Sequence, residues 1–170
     1  MNIREPLTEL KRWTFCVIAA AAVLISTLGF APDVNAGSKN FPNCFVGTFL
    51  VDEGNGTKSL WTFGTGGVFF VTSSAQAALD FTDEQGAWIK TGKRRASATS
   101  LDFSFDPDGG LANIAKVNAD VTFTDNNCGG IEGGFTVSFY APGVDPLNPD
   151  SVPENVISDT FTGRRVEAGQ

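Results

Sequence analysis

The chain contains no histidine. That single absence removes Ser-His-Asp and Cys-His nucleophilic catalysis, histidine general bases and histidine-bearing zinc sites. Positive charge is scarce as well: 12 Lys and Arg stand against 19 Asp and Glu, for a net charge of −7. Such a balance suits neither a nucleic acid partner nor an anionic lipid surface. Neither Asp-Thr-Gly nor Gly-x-Ser-x-Gly occurs, so the aspartic-protease and hydrolase signatures are missing too. Asp106-Pro107-Asp108-Gly109 shares the opening of a calcium loop, but Val117 stands where that loop needs its bidentate glutamate. These residues read as a turn, and no metal or other cofactor is expected.

What is present begins with a leader. Arg4, Lys11 and Arg12 precede an uncharged, largely apolar run from Trp13 to Phe30. Val34-Asn35-Ala36 then offers a small-x-small cleavage tripeptide before Gly37. Four alanines, Ser26, Thr27 and Gly29 make the run only moderately apolar, and Pro32 breaks it. A retained membrane anchor is the alternative. The expectation is a removed signal peptide over residues 1–36, a single domain over 37–170, and a secreted or periplasmic protein without stable membrane insertion.

Of the 3 cysteines, Cys16 lies inside the apolar run, which leaves Cys44 and Cys128. An even count in an exported chain points to a disulfide between them. Both flank turn-rich stretches, Phe41-Pro42-Asn43 and Asp125-Asn126-Asn127, where a staple would tie strand ends together.

The remainder reads as strand, turn, strand. Segments 45–52, 58–63, 68–74, 86–91, 95–105, 114–123, 135–140 and 158–166 carry β-formers or alternation, and only 75–85 offers a short helix or long loop. Asn55-Gly56 and Asp106-Pro107-Asp108-Gly109-Gly110 supply turn chemistry. Leu101, Phe103 and Phe105 share one face of their strand, with Asp102 and Ser104 on the other. Val117, Ala119, Val121 and Phe123 alternate with polar residues, as do Phe135, Val137 and Phe139. Eight short strands predict an all-β fold, an antiparallel eight-stranded barrel. For the 13 phenylalanines that follow the leader, packing in the core is the simplest account.

The other charged motifs have bland readings. Lys90, Lys93, Arg94 and Arg95 straddle Gly92 and read as a solvated hairpin tip. Asn55-Gly56-Thr57 is a formal glycosylation acceptor that also makes a good turn. Asp102, Asp106, Asp108, Asp120 and Glu132 are candidate acid–base carboxylates, and sequence spacing does not say which of them meet. No catalytic residue is assigned, and an enzyme is an open but unsupported reading.

Several short motifs together carry a resemblance. Gly47-Thr48-Phe49 opens the first strand, Leu60-Trp61-Thr62-Phe63 precedes Gly66-Gly67, and Gly86-Ala87-Trp88 opens the fourth. Phe103-x-Phe105-Asp106-x-Asp108-Gly109 follows, and Thr162-Gly163-Arg164 lies near the end. Over most of residues 44–166 the chain resembles small exported lipocalin-like (calycin) β-barrels. It shares a general shape with allene-oxide-cyclase-like barrels. The lipocalin resemblance implies a Gly-x-Trp start to the barrel, where this chain has Phe49 in place of the tryptophan, and a late arginine packed over an aromatic near the closed end.

A barrel of eight strands encloses a space near the limit of what side chains alone fill. Small interior candidates (Ala96, Ala98, Thr99, Ala119) leave room for a small apolar ligand. Trp61 and Trp88 supply flat walls and Tyr140 a polar handle; Arg164 either completes the site or stacks on an aromatic at the closed end. Carrier, interaction module with a filled core, and isomerase or cyclase are the functions in expected order, in a monomer or small homo-oligomer.

Overall fold

The computed structural model describes residues 44–169, so the proposed leader lies outside the described residues. Eight antiparallel strands run β1 Gly47–Glu53, β2 Lys58–Phe63, β3 Val68–Ser73, β4 Glu84–Gly92, β5 Arg95–Phe105, β6 Leu111–Phe123, β7 Gly130–Tyr140 and β8 Asn155–Arg165. Each pairs with its sequence neighbour, and β8 returns to β1 through Phe49↔Arg165 to Glu53↔Phe161. Closure leaves no unpaired edge strand, which removes the main aggregation hazard of a sheet. A one-turn helix, α1 (Gln76–Leu79), interrupts the connection from β3 to β4. No helix among the described residues is long and apolar enough to cross a membrane.

Up-and-down order puts alternate connections at opposite ends. One end, the mouth, holds the β1–β2 turn, the α1 segment, the β5–β6 turn and the proline-rich loop between β7 and β8. The other, the floor, holds residues 44–46, the β4–β5 turn and the β6–β7 loop. The turns follow their side-chain chemistry. Asn55 Oδ1 accepts the Thr57 amide at 2.8 Å with Gly56 at φ +89°. Asp106 Oδ1 accepts the amides of Asp108 (3.0 Å) and Gly110 (2.8 Å). The Asp106 carboxylate thus serves the backbone, as the turn reading expects, and the Asn55 amide oxygen does likewise. At the β4–β5 tip Lys93, Arg94 and Arg95 are exposed.

The core fills the floor half. Phe49, Val51, Phe63, Phe69, Trp88, Val121, Phe123, Ile131 and Phe161 all point inward and are buried. Large side chains face small ones across the ladders: Trp88 opposite Ala98, Phe69 opposite Gly86, Phe161 opposite Gly133. Gly133 is required at this crossing, because a Cβ there would lie 1.9 Å from the Asp120 carbonyl oxygen. Phe45, entering from below β1, stacks on Phe123 with ring centroids 4.0 Å apart.

A disulfide joins Cys44 to Cys128, with Cα atoms 5.4 Å apart. Arg165 closes the floor beside it. The guanidinium lies 4.6 Å from the centroid of the Phe49 ring. Its N–H groups donate to the carbonyls of Cys128 (3.0 Å), Val46 (3.0 Å) and Cys44. The late arginine stacked on an aromatic is therefore Arg165; Arg164, one residue earlier, points to the opposite side of β8 and is exposed.

Some phenylalanines depart from the packing expectation. Phe103 (47% exposed) and Phe105 (41% exposed) lie on the outer wall, as does Phe70. Their strand neighbours Asp102 and Ser104 face inward, and the reason is the cavity that they line.

Candidate functional site

Above the aromatic floor the interior stays open. A cavity of about 500 Å3 occupies the mouth half, a size suited to a small organic molecule. Its apolar wall comes from Trp61 on β2, Val117 on β6, and Phe135, Val137 and Phe139 on β7, with Leu79 and Phe81 at the lip. The space has a simple origin. Ala115 and Val117 stand on β6 in place of the phenylalanines that fill the floor, while β3–β5 contribute Ser73, Glu84, Asp102 and Ser104 in place of apolar bulk. By contrast, the depression lined by Thr72, Gln76, Phe105 and Pro107 is a shallow hollow on the outer wall.

Trp61 forms the boundary between floor and cavity. It is 3% exposed and tilts against Phe161 (centroids 4.4 Å) with its edge contact to Phe69 at 5.6 Å. These neighbours hold the indole but do not satisfy it: Nε1–H is buried with no hydrogen-bond acceptor among the described residues. A buried donor left this way costs roughly 1–3 kcal/mol.

Four carboxylates line the same space: Glu53, Glu84, Asp102 and Asp159. Two are oriented by buried serines on their cross-strand neighbours. Ser59 Oγ donates to Glu53 Oε1 at 2.6 Å, and Ser100 Oγ donates to Glu84 Oε2 at 2.6 Å. Asp102, 5% exposed, receives no hydrogen bond from any described residue. It pairs in register with Ala115, whose short side chain leaves the space beside it free. Burial pushes Glu84 up to about 7, against the pull of the Ser100 hydroxyl and with help from the charges of Asp102 and Glu53. Burial likewise raises Asp102 to about 6 and raises Glu53. No family model, curated protein or solved structure matches this chain.

The sequence-chosen ligand residues therefore separate. Trp61 lines the cavity. Trp88 belongs to the floor, where its Nε1–H donates to the Gly64 carbonyl at 2.9 Å and its ring meets Phe63 edge-on. Tyr140 faces away from the cavity that its neighbour Phe139 lines; its ring is buried on the outside under Lys116, whose Nζ lies 5.2 Å from the centroid and donates to the Pro146 carbonyl. Arg164 is on the outer wall. Of the small residues, Ala96, Ala98 and Ala119 point inward, while Thr99 is outside and donates to Asn118 Oδ1 at 2.9 Å.

Of the candidate carboxylates, only Asp102 enters the cavity. Glu53, Glu84 and Asp159 escaped notice because nothing in the sequence distinguishes an inward acid from a solvated one. The weak signal that existed was Ser59, Ser100, Asp102 and Ser104 occurring at the same alternation phase as buried apolar residues.

Proposed function

We propose that this is an exported, lipocalin-like barrel that holds a small, largely apolar ligand in its mouth cavity. The observation that carries the reading is the space of about 500 Å3 above the aromatic floor, walled by Trp61, Val117, Phe135, Val137 and Phe139. A filled core, as an interaction module would have, leaves no such space. The disulfide fits an oxidising compartment and so supports export. The Arg165–Phe49 stack at the floor supports kinship with lipocalin-like barrels.

Tryptophan emission titrated with a panel of terpenoids, alkyl alcohols and aromatic dyes tests the reading. A saturable change is expected in the wild type and in Trp88→Phe, and it should vanish in Trp61→Phe. Absence of any saturable change across the panel overturns the proposal.

A second reading has one specific observation behind it. Glu84 sits near neutrality inside an apolar-walled space, which is where a general acid or base works best. An isomerase or cyclase would convert a bound ligand rather than release it unchanged. Recovery of the ligand by mass spectrometry after prolonged incubation separates turnover from carriage.

A further inference from the structure

We infer that the mouth cavity selects an organic cation, a protonated amine on an apolar body, and discriminates against fatty acids. This rests on the reading that the cavity binds a small molecule at all, and it adds the chemistry of the head group.

Among the described residues the lining carries Glu53, Glu84, Asp102 and Asp159 and not one lysine or arginine. The nearest described lysines are committed elsewhere. Lys58, on the outer side of β2, pairs with Asp52, and Lys116 covers Tyr140 outside β6. Uncompensated carboxylates in a partly desolvated space are costly, and they are the kind of groups that a bound cation relieves.

An unpartnered carboxylate turns the acidic lining into a site. Asp102 lines the cavity and is almost wholly buried, with no protein donor among the described residues. A ligand ammonium supplies the donors that it lacks. The apolar wall of Phe135, Val137 and Val117 takes the rest. A bare metal ion fits poorly, since no three His, Cys, Asp or Glu side chains among the described residues converge to hold one. A fatty acid would bring a further negative charge among four.

The test uses three chains of equal length, octylamine, octanol and octanoate, followed by calorimetry and Trp61 emission at pH 8 and pH 5. Octylamine keeps its proton at both values, as an alkylamine like lysine does, so any change with pH reports on the protein. At pH 8, with Glu84 and Asp102 ionised, octylamine should bind at least about tenfold tighter than octanol, the scale of one charge-assisted contact, and octanoate should not bind measurably. At pH 5 Glu84 and Asp102 are both largely neutral, and the amine-to-alcohol ratio should fall to about threefold or less. The double variant Glu84→Gln, Asp102→Asn should show the same low ratio at pH 8. If octanol binds but octylamine holds no advantage, or if octanoate binds best, the cation inference fails while the ligand-binding reading stands. An amine advantage that survives in the double variant also overturns it. Failure of all three probes removes both.

Discussion

Cys128→Ala should lower the unfolding free energy by roughly 2–4 kcal/mol, on the order of 10 °C in Tm for a domain of this size. The bridge closes a loop with a sequence separation of 84. Residues 44–46 precede β1 and have no strand partner of their own. They are held by the disulfide, by Phe45 packing on Phe123 and Trp88 beneath Lys90, and by Arg165 donating to the carbonyls of Cys44 and Val46. Losing the bridge lengthens the free end in the unfolded chain and loosens the floor in the folded one. Thermal unfolding of wild type and variant, without reductant, measures the loss. Cys44→Ala should cost the same, and the double variant no more than either single. Since the cavity lies at the opposite end, titration of Trp61 should be unchanged in folded Cys128→Ala. Alkylation of both cysteines in native, unreduced protein would refute the bridge.

Much of the barrel was legible because turn chemistry and alternation agree. β2 and β5 begin and end where the residue pattern places them, bounded by Asn-Gly, a glycine cluster, Gly92-Lys93 and Asp-Pro-Asp-Gly-Gly. β7 starts five residues earlier than its phenylalanine alternation suggests, at Gly130. Glycines carry no alternation signal, yet Gly133 is there because the barrel wall comes too close for a Cβ. Alternation also divides a strand into two faces without saying which is inside. In β5 the aromatic face turns out and the Asp102 face turns in, because β5 supplies part of the polar side of a cavity whose apolar wall comes from β6 and β7. The same one-residue ambiguity separates Arg164 from Arg165 and Tyr140 from Phe139. Sequence distance between Glu53, Glu84, Asp102 and Asp159 hid a cluster that only barrel closure assembles.

The protein should be less stable at pH 8 than at pH 5, by on the order of 3 kcal/mol from Glu84 alone. The folded-state value of Glu84 is raised to about 7 from an ordinary 4.5, and that of Asp102 to about 6 from 3.8. A raised carboxyl means that the folded chain binds protons which the unfolded chain has already released. The stabilisation is complete below about pH 4 and is lost as the pH rises through 6 and 7. The two acids feel each other, so their contributions do not simply add. Asp125 works in the opposite sense. Backbone amides of Gly129 and Asn127 donate to its carboxylate and hold it below its ordinary value, so its share of stability is lost on acidification. The optimum should therefore lie on the acid side of neutrality, between these two limbs. Urea unfolding from pH 3 to pH 9 traces the curve, and Glu84→Gln isolates the alkaline limb. Glutamine keeps an oxygen for the Ser100 hydroxyl and carries no charge, so the variant should gain stability at pH 8 and little or none at pH 4. A flat profile from pH 5 to pH 8, or a Glu84→Gln variant weakened at pH 8, would show that this carboxyl is not buried as described. A protein that retains such a costly acid at neutral pH is stabilised by whatever neutralises it. Octylamine at pH 8 should accordingly raise Tm in the wild type and raise it less in Glu84→Gln.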